Sequence, residues 1–200
     1  KAGTAAPGGK LPTITILAFA GAALPTTGLL LALGVYLPRF YAGHIGLSLI
    51  AVGLAFTSVR LIDILFDPII GAVMDRTTTG FGRYRPWMVI GAPVLMGSIY
   101  MLFNPPAAAG QGYLIFWLLV LYAGVSILVL AHAAWGAALA SDYHERSRIY
   151  GWMHAVGVAG SVVLLLLPKL SGGAIDPGRG QSMGAVGWVL IAATPISILL

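Results

Sequence analysis

The sequence predicts an all-α integral membrane protein of six transmembrane helices. Hydrophobic residues make up 58% of the chain and charged residues only 8%, where an ordinary soluble domain carries about 25% charged residues. The mean hydropathy is +0.92. The apolar stretches are also long, near the roughly 20 residues that a helix needs to cross a hydrocarbon core. This length excludes an outer-membrane barrel of short alternating strands. The formal charge of +5 does not indicate nucleic acid, because the basic residues are scattered over short connections and form no basic face interleaved with aromatics. With no cysteine, neither a disulfide framework nor a thiolate metal site is possible. No nucleotide loop, metal-ligand spacing or nucleophile motif points to an enzyme, and no cofactor is implied.

Residues 1–12, rich in Gly, Ala and Pro, read as a tail, and residues 13–200 as one bundle. Thr13 to Leu37 is uncharged throughout, too long for the apolar core of a cleaved signal, and is the first expected helix, bent at Pro25. After the connection PRFYAGH, the second runs from about Gly46 to Met74. The third runs from about Trp87 to Phe103 and stops before Asn104-Pro105-Pro106, because proline cannot continue it. Tyr113 to Ala140, Tyr150 to Leu167 and Met183 to the end supply the other three. Lys1, Lys10, Arg76, Arg83, Arg85, Arg146 and Arg148 lie in the tail and the second and fourth connections, against Arg39, Lys169 and Arg179 in the remaining ones. The bias toward basic cytoplasmic loops then puts both ends of the chain in the cytoplasm.

The second helix carries the chemistry. Arg60, Asp63, Asp67, Gly71 and Asp75 recur at steps of three or four residues and so share one helical stripe. An acidic side chain at mid-bilayer costs roughly 2.5 to 3.5 kcal/mol on insertion scales, so this face should line the bundle interior or an aqueous cavity. Two carboxylates one turn apart repel each other unless a proton or a cation sits between them. Pro68 has no N–H, which leaves the Ile64 carbonyl without its helical donor, and a freed carbonyl can join carboxylates around a hard cation such as sodium. Asp63 and Asp67 are therefore candidate cation ligands. Arg60 could alternatively neutralise Asp63 in a structural ion pair.

The stretch Gly71-Ala-Val-Met-Asp75-Arg76, followed by Gly82-Arg83-Tyr84-Arg85-Pro86-Trp87, resembles the loop between helices two and three of the major facilitator superfamily. The longer string R-x-x-D-x-x-x-D-P-x-x-G-x-x-x-D-R with G-R-Y-R-P-W is similar to the glycoside-pentoside-hexuronide:cation symporters, the melibiose-permease-like group. Trp135 and the loop Ser141-Asp142-Tyr143-His144-Glu145-Arg146-Ser147-Arg148 extend the likeness to the end of helix four.

The resemblance implies the N-terminal six-helix half of a bacterial inner-membrane carrier, a second half lying outside this chain. The implied activity is symport of a sugar, glycoside or related small solute with Na+ or H+. Asp63 and Asp67 become the cation ligands, and Gly71, Asp75, Arg76, Arg83 and Arg85 the gating residues of the cytoplasmic side. Where the family's pattern has acidic sugar-binding residues, this sequence has Thr27 and Ala131. A solute would then be held by Thr27, Arg60, His132, Trp135, Trp152 and His154, by hydroxyl, guanidinium, imidazole and aromatic faces. The other function class open to a lone half is a truncated, non-transporting subunit that packs this face against a partner membrane protein.

Overall fold

The structure, a computed structural model, describes residues 12–77, 80, 82–140, 142–170 and 180–199. The tail with Lys1 and Lys10 lies outside the described residues, as do Arg179 and the side chain of Lys169. Seven helices follow in order among the described residues: α1 Thr13–Gly21, α2 Ala23–Gly43, α3 Leu49–Arg76, α4 Arg85–Phe103, α5 Gln111–Leu139, α6 Tyr143–Leu170 and α7 Gly180–Leu199. Five stretches are long and apolar enough to span a membrane: Thr13–Gly43, Leu49–Arg76, Arg85–Phe103, Gln111–Leu139 and Tyr143–Leu166. In α7 the shorter apolar stretch is Val186–Pro195.

The first span is two helices rather than one bent helix. The interruption falls at Ala22, three residues before Pro25. Pro25 cannot donate to the Gly21 carbonyl and its ring crowds that carbonyl, so the disturbance appears one turn upstream of the proline itself. The span also continues past Pro38 to Gly43, where a loop was expected. Phe40 and Tyr41 are buried in the core, and the packing of these two rings carries the helix through the proline. Arg39 is accordingly helical. At the other boundary that moved, α6 starts at Tyr143 rather than Tyr150. The Glu145 N–H donates to Asp142 Oδ1 at 2.7 Å, the N-cap arrangement that satisfies a first-turn donor. Arg146 and Arg148 therefore sit in the first turns of α6.

Two prolines end α4 and create a specific debt in hydrogen bonds. Pro105 and Pro106 cannot donate to the carbonyls of Met101 and Leu102, and a buried carbonyl without a donor is costly. Two tyrosine hydroxyls meet it: Tyr113 donates to the Met101 oxygen at 2.8 Å and Tyr41 to the Leu102 oxygen at 3.2 Å. The helix stop is thereby tied to α2 and α5. Beneath it lies a continuous core that includes Leu33, Leu37, Val52, Leu95, Ile99, Leu102, Leu118 and Leu121.

Helix α4 packs against α5 and α7, which run antiparallel to it, while α2 packs against α6 and α3 against α5 as parallel pairs. Small residues set the closest approaches. A side chain at Gly124 would meet the backbone nitrogen of Leu95 at 3.1 Å, and one at Gly91 would meet Ile127 Cγ2 at 2.8 Å. On the other side of the bundle, Gly157 faces Thr27, whose Oγ1 is 2.8 Å from where a Cβ would stand. Coverage is uneven: 56% of the first span's apolar window is buried, against 22% for α3 and 17% for α6. Long faces of α3 and α6 are thus left open by the other described helices.

Candidate functional site

Helix α3 is started by Ser48, whose Oγ accepts from the Ala51 N–H at 3.1 Å, and it runs unbroken through Pro68 to Arg76. The charged stripe is carried with it toward α5. Arg60 Nη1 donates to Asp63 Oδ2 at 2.9 Å. The Asp63 side chain is 5% exposed and the Arg60 side chain 61%, so the pair straddles a boundary, with the carboxylate inside. Asp63 Oδ1 accepts from Ser126 Oγ of α5 at 3.0 Å, and the Arg60 guanidinium lies 5.6 Å from the centre of the Tyr122 ring. A groove of about 310 Å³ opens beside this cluster, lined by Ile62, Asp63, Phe66, Leu119, Val120, Tyr122 and Ala123. Its walls are apolar except at Asp63 and Tyr122.

Asp67, one turn on, is different. Its Oδ1 is buried and has no hydrogen-bond partner. A buried carboxylate oxygen without a donor is one of the more expensive groups a protein can hold, and one that a cation would satisfy. Among the described residues no three His, Cys, Asp or Glu side chains cluster as a metal site. A cation here would be held by the carboxylates together with neutral oxygens, the Ser126 hydroxyl and the Ile64 carbonyl being the available kinds. Such an all-oxygen set suits a hard ion or a proton and not a soft transition metal.

The remaining sequence-selected residues fall into separate places. Trp135 lies nine residues beyond Ser126 on α5, about 13 Å along the helix at 1.5 Å per residue. There it meets the Phe19 ring edge-on at 5.5 Å and the Arg85 guanidinium at 5.1 Å. His132 is buried, its ring 4.4 Å from Phe19 and its Nε2 3.0 Å from the Phe19 carbonyl oxygen. It braces α5 against the last turn of α1, beside the break at Ala22. Thr27 is half-buried against Gly157 of α6, while Trp152 and His154 are exposed on α6. At the end of α3, Asp75 and Arg76 are exposed, and open space surrounds Gly71. Arg83 and Arg85 are likewise exposed. The structure brings together Arg60 and Asp63 and leaves Asp67 a turn away with an unanswered oxygen.

Ser126 and Tyr122 escaped the sequence reading. The signal was present: Ser126 is the sole Ser or Thr in α5, and Tyr122 precedes it by four residues, on the same face.

A family model described as MFS/sugar transport protein matches residues 18–199, nearly the whole chain. The chain belongs to this family. It is 32% identical over 154 residues to the uncharacterized symporter YnaJ of Bacillus subtilis, covering 74% of this chain and 33% of that protein. It is 32% identical over 145 residues to the lactose permease of Lactobacillus helveticus, covering 68% of this chain and 23% of the permease. With the putative glycoside/cation symporter YagG of Escherichia coli it shares 30% identity over 147 residues, 68% of this chain and 30% of that protein. The chain thus spans a third or less of the length of these relatives. Membership in the MFS/sugar transport family agrees with the all-helical apolar fold and with an integral membrane protein.

Proposed function

We propose that this chain is the N-terminal six-helix half of a secondary active transporter that moves a sugar, glycoside or related small solute together with Na+ or H+ by alternating access. The observation that carries the coupling is the Asp63–Asp67 pair, one carboxylate held by Arg60 and Ser126 and the other left with a buried, unpartnered oxygen. A charge kept inside a membrane bundle without full compensation is expensive, and a transported cation is the partner that would justify it. The names of the relatives, a lactose permease and a glycoside/cation symporter among them, support the solute class.

Carriers of this superfamily pair two six-helix halves and bind their solute near the midplane between them. The open faces of α3 and α6 are the surfaces such a second half would cover, and Thr27, Trp152 and His154 are the proposed solute contacts near them. Arg60, His132 and Trp135 are the other proposed contacts, His132 and Trp135 lying on the α1 side of α5 against Phe19. Gly71, Asp75, Arg76, Arg83 and Arg85 form the cytoplasmic gate, where open space around Gly71 leaves room for a helix from the second half. The cell inner membrane of a bacterium is the proposed location, with both ends of this segment inside.

The test is uptake by the full-length protein in proteoliposomes, over a panel of sugars, glycosides and polyols, with sodium and proton gradients imposed separately. Accumulation of one of these solutes that collapses with the gradient is expected; exchange that ignores both gradients would overturn the symport reading. Orientation is checked independently. A cysteine placed at Gly80 should react with a membrane-impermeant reagent only from the cytoplasmic side and one at Gly110 only from outside, and reversed labelling would invert the topology.

A further inference from the structure

Residues Gly82, Arg83, Tyr84, Arg85 and Trp135 line a second pocket, of about 240 Å³, at the end of the bundle where α4 begins and α5 ends. We propose that this pocket binds the phosphate of an anionic phospholipid, with Arg83 and Arg85 as its ligands and Trp135 as its floor.

The arginines are held for this task by local structure. Gly82 has φ +101°, a conformation that costs side-chain-bearing residues dearly, and the turn it permits brings Arg83 to the mouth of the pocket just before α4 starts at Arg85. Pro86 in the first turn fixes the entry of that helix. The Arg85 guanidinium is laid over the Trp135 indole, 5.1 Å from its centre. Stacking of this kind orients the planar fork while leaving its N–H edges available. Among the described residues no carboxylate lies within ion-pair distance of Arg83 or Arg85, the close Arg–carboxylate pair being Arg60 with Asp63. Two arginines thus line a pocket with no carboxylate in its lining.

Phosphate is the matching anion, because guanidinium offers it parallel N–H donors in a fixed geometry. The surroundings select a lipid as its source. The pocket lies at the boundary of two membrane-spanning stretches, the depth at which tryptophan and headgroups meet, and basic pockets between helices at this level suit anionic headgroups. Val89 stands one turn beyond Arg85 on the same face of α4 and is 65% exposed, with Ile90 beside it at 55%. An acyl chain would run along these side chains while its phosphate is held above.

The pocket shares Arg83 and Arg85 with the proposed cytoplasmic gate but lies apart from the Asp63–Asp67 cluster, and its test reads lipid binding, not transport. The full-length protein, purified in mild detergent, is titrated with phosphatidylglycerol and with phosphatidylcholine of the same acyl chains, and bound lipid is counted by native mass spectrometry. Phosphatidylglycerol should be retained about tenfold or more in preference to phosphatidylcholine, given the attraction that each surface arginine contributes. The R83Q/R85Q variant should lose that preference, whereas Arg148→Gln should keep it: Arg148 is a basic residue of the same membrane face, bonded instead to Thr13 Oγ1 at 2.7 Å. Equal retention of the two lipids, or an unaltered preference in R83Q/R85Q, would overturn the proposal. So would binding of inorganic phosphate at these arginines with no retention of phosphatidylglycerol, which would make the ligand a free anion and not a lipid.

Discussion

Asp67→Asn in the full-length protein is expected to abolish cation-driven accumulation while leaving membrane insertion and folding intact. The amide keeps the shape of the carboxylate and removes its charge. Because Asp67 Oδ1 has no hydrogen-bond partner, the substitution breaks no contact to that oxygen in this half of the protein. What it removes is attraction for a bound cation, on the order of 4 kcal/mol for unit charges in contact at an effective dielectric near 20, or nearly three decades of affinity.

Asp63→Asn should also stop accumulation, but with a structural cost, since the charge that answers Arg60 at 2.9 Å is lost with it. Ser126→Ala separates the two effects. It deletes one hydrogen bond to a carboxylate, of about 1.5 to 3 kcal/mol, and should weaken cation dependence without eliminating uptake. The measurement is solute accumulation against an imposed sodium or proton gradient, with expression and detergent-solubilised monodispersity as the folding control. Undiminished accumulation in both aspartate variants would remove the cation site from the account of this protein.

That pair was legible in the sequence because charge inside an apolar run is rare and its helical spacing can be read directly. The spans were legible for the complementary reason, length without charge. Boundaries set by tertiary contact were not. Pro38 looks like a helix end until Phe40 and Tyr41 are seen to be buried beyond it. The start of α6 at Tyr143 depends on a cap by Asp142 that only the folded geometry reveals. Pro25 announced a disturbance in the first span, yet its effect falls at Ala22, since the carbonyl it deprives belongs to the preceding turn.

The candidate site was half legible. Arg60, Asp63 and Asp67 share one helix, so periodicity alone groups them. Ser126 lies 63 positions from Asp63, and no local pattern links them. Trp135 stood out through the family resemblance and His132 as the lone histidine or charged residue within its helix, and neither signal gives a side chain's neighbours. Which neighbours an imidazole and an indole meet depends on how α5 is rotated against α1 and α4, and here they meet Phe19 and Arg85.

That rotation is set where α4 and α5 touch, and the largest structural effect is expected from filling the contact. Gly124→Leu should yield no folded protein, and Gly124→Ala a protein of reduced thermal stability. A Cβ at residue 124 would lie 3.1 Å from the Leu95 nitrogen and 3.2 Å from its Cα. Both are backbone atoms of a helix and cannot rotate away, so the two helices would have to separate. Overpacking of a close-fitted contact costs typically 1 to 3 kcal/mol, while alanine in place of glycine returns about 1 kcal/mol of helix propensity. The clash should win at Gly124. Gly97 of α4 provides the control, because a Cβ there meets nothing within 4 Å, and Gly97→Ala should leave stability equal or higher. Unfolding midpoints of the full-length variants in mild detergent decide between them. Equal midpoints for the Gly124 and Gly97 alanine variants would mean that the α4–α5 contact yields to a methyl group, and that the position of Ser126 opposite Asp63 is fixed by something other than this glycine.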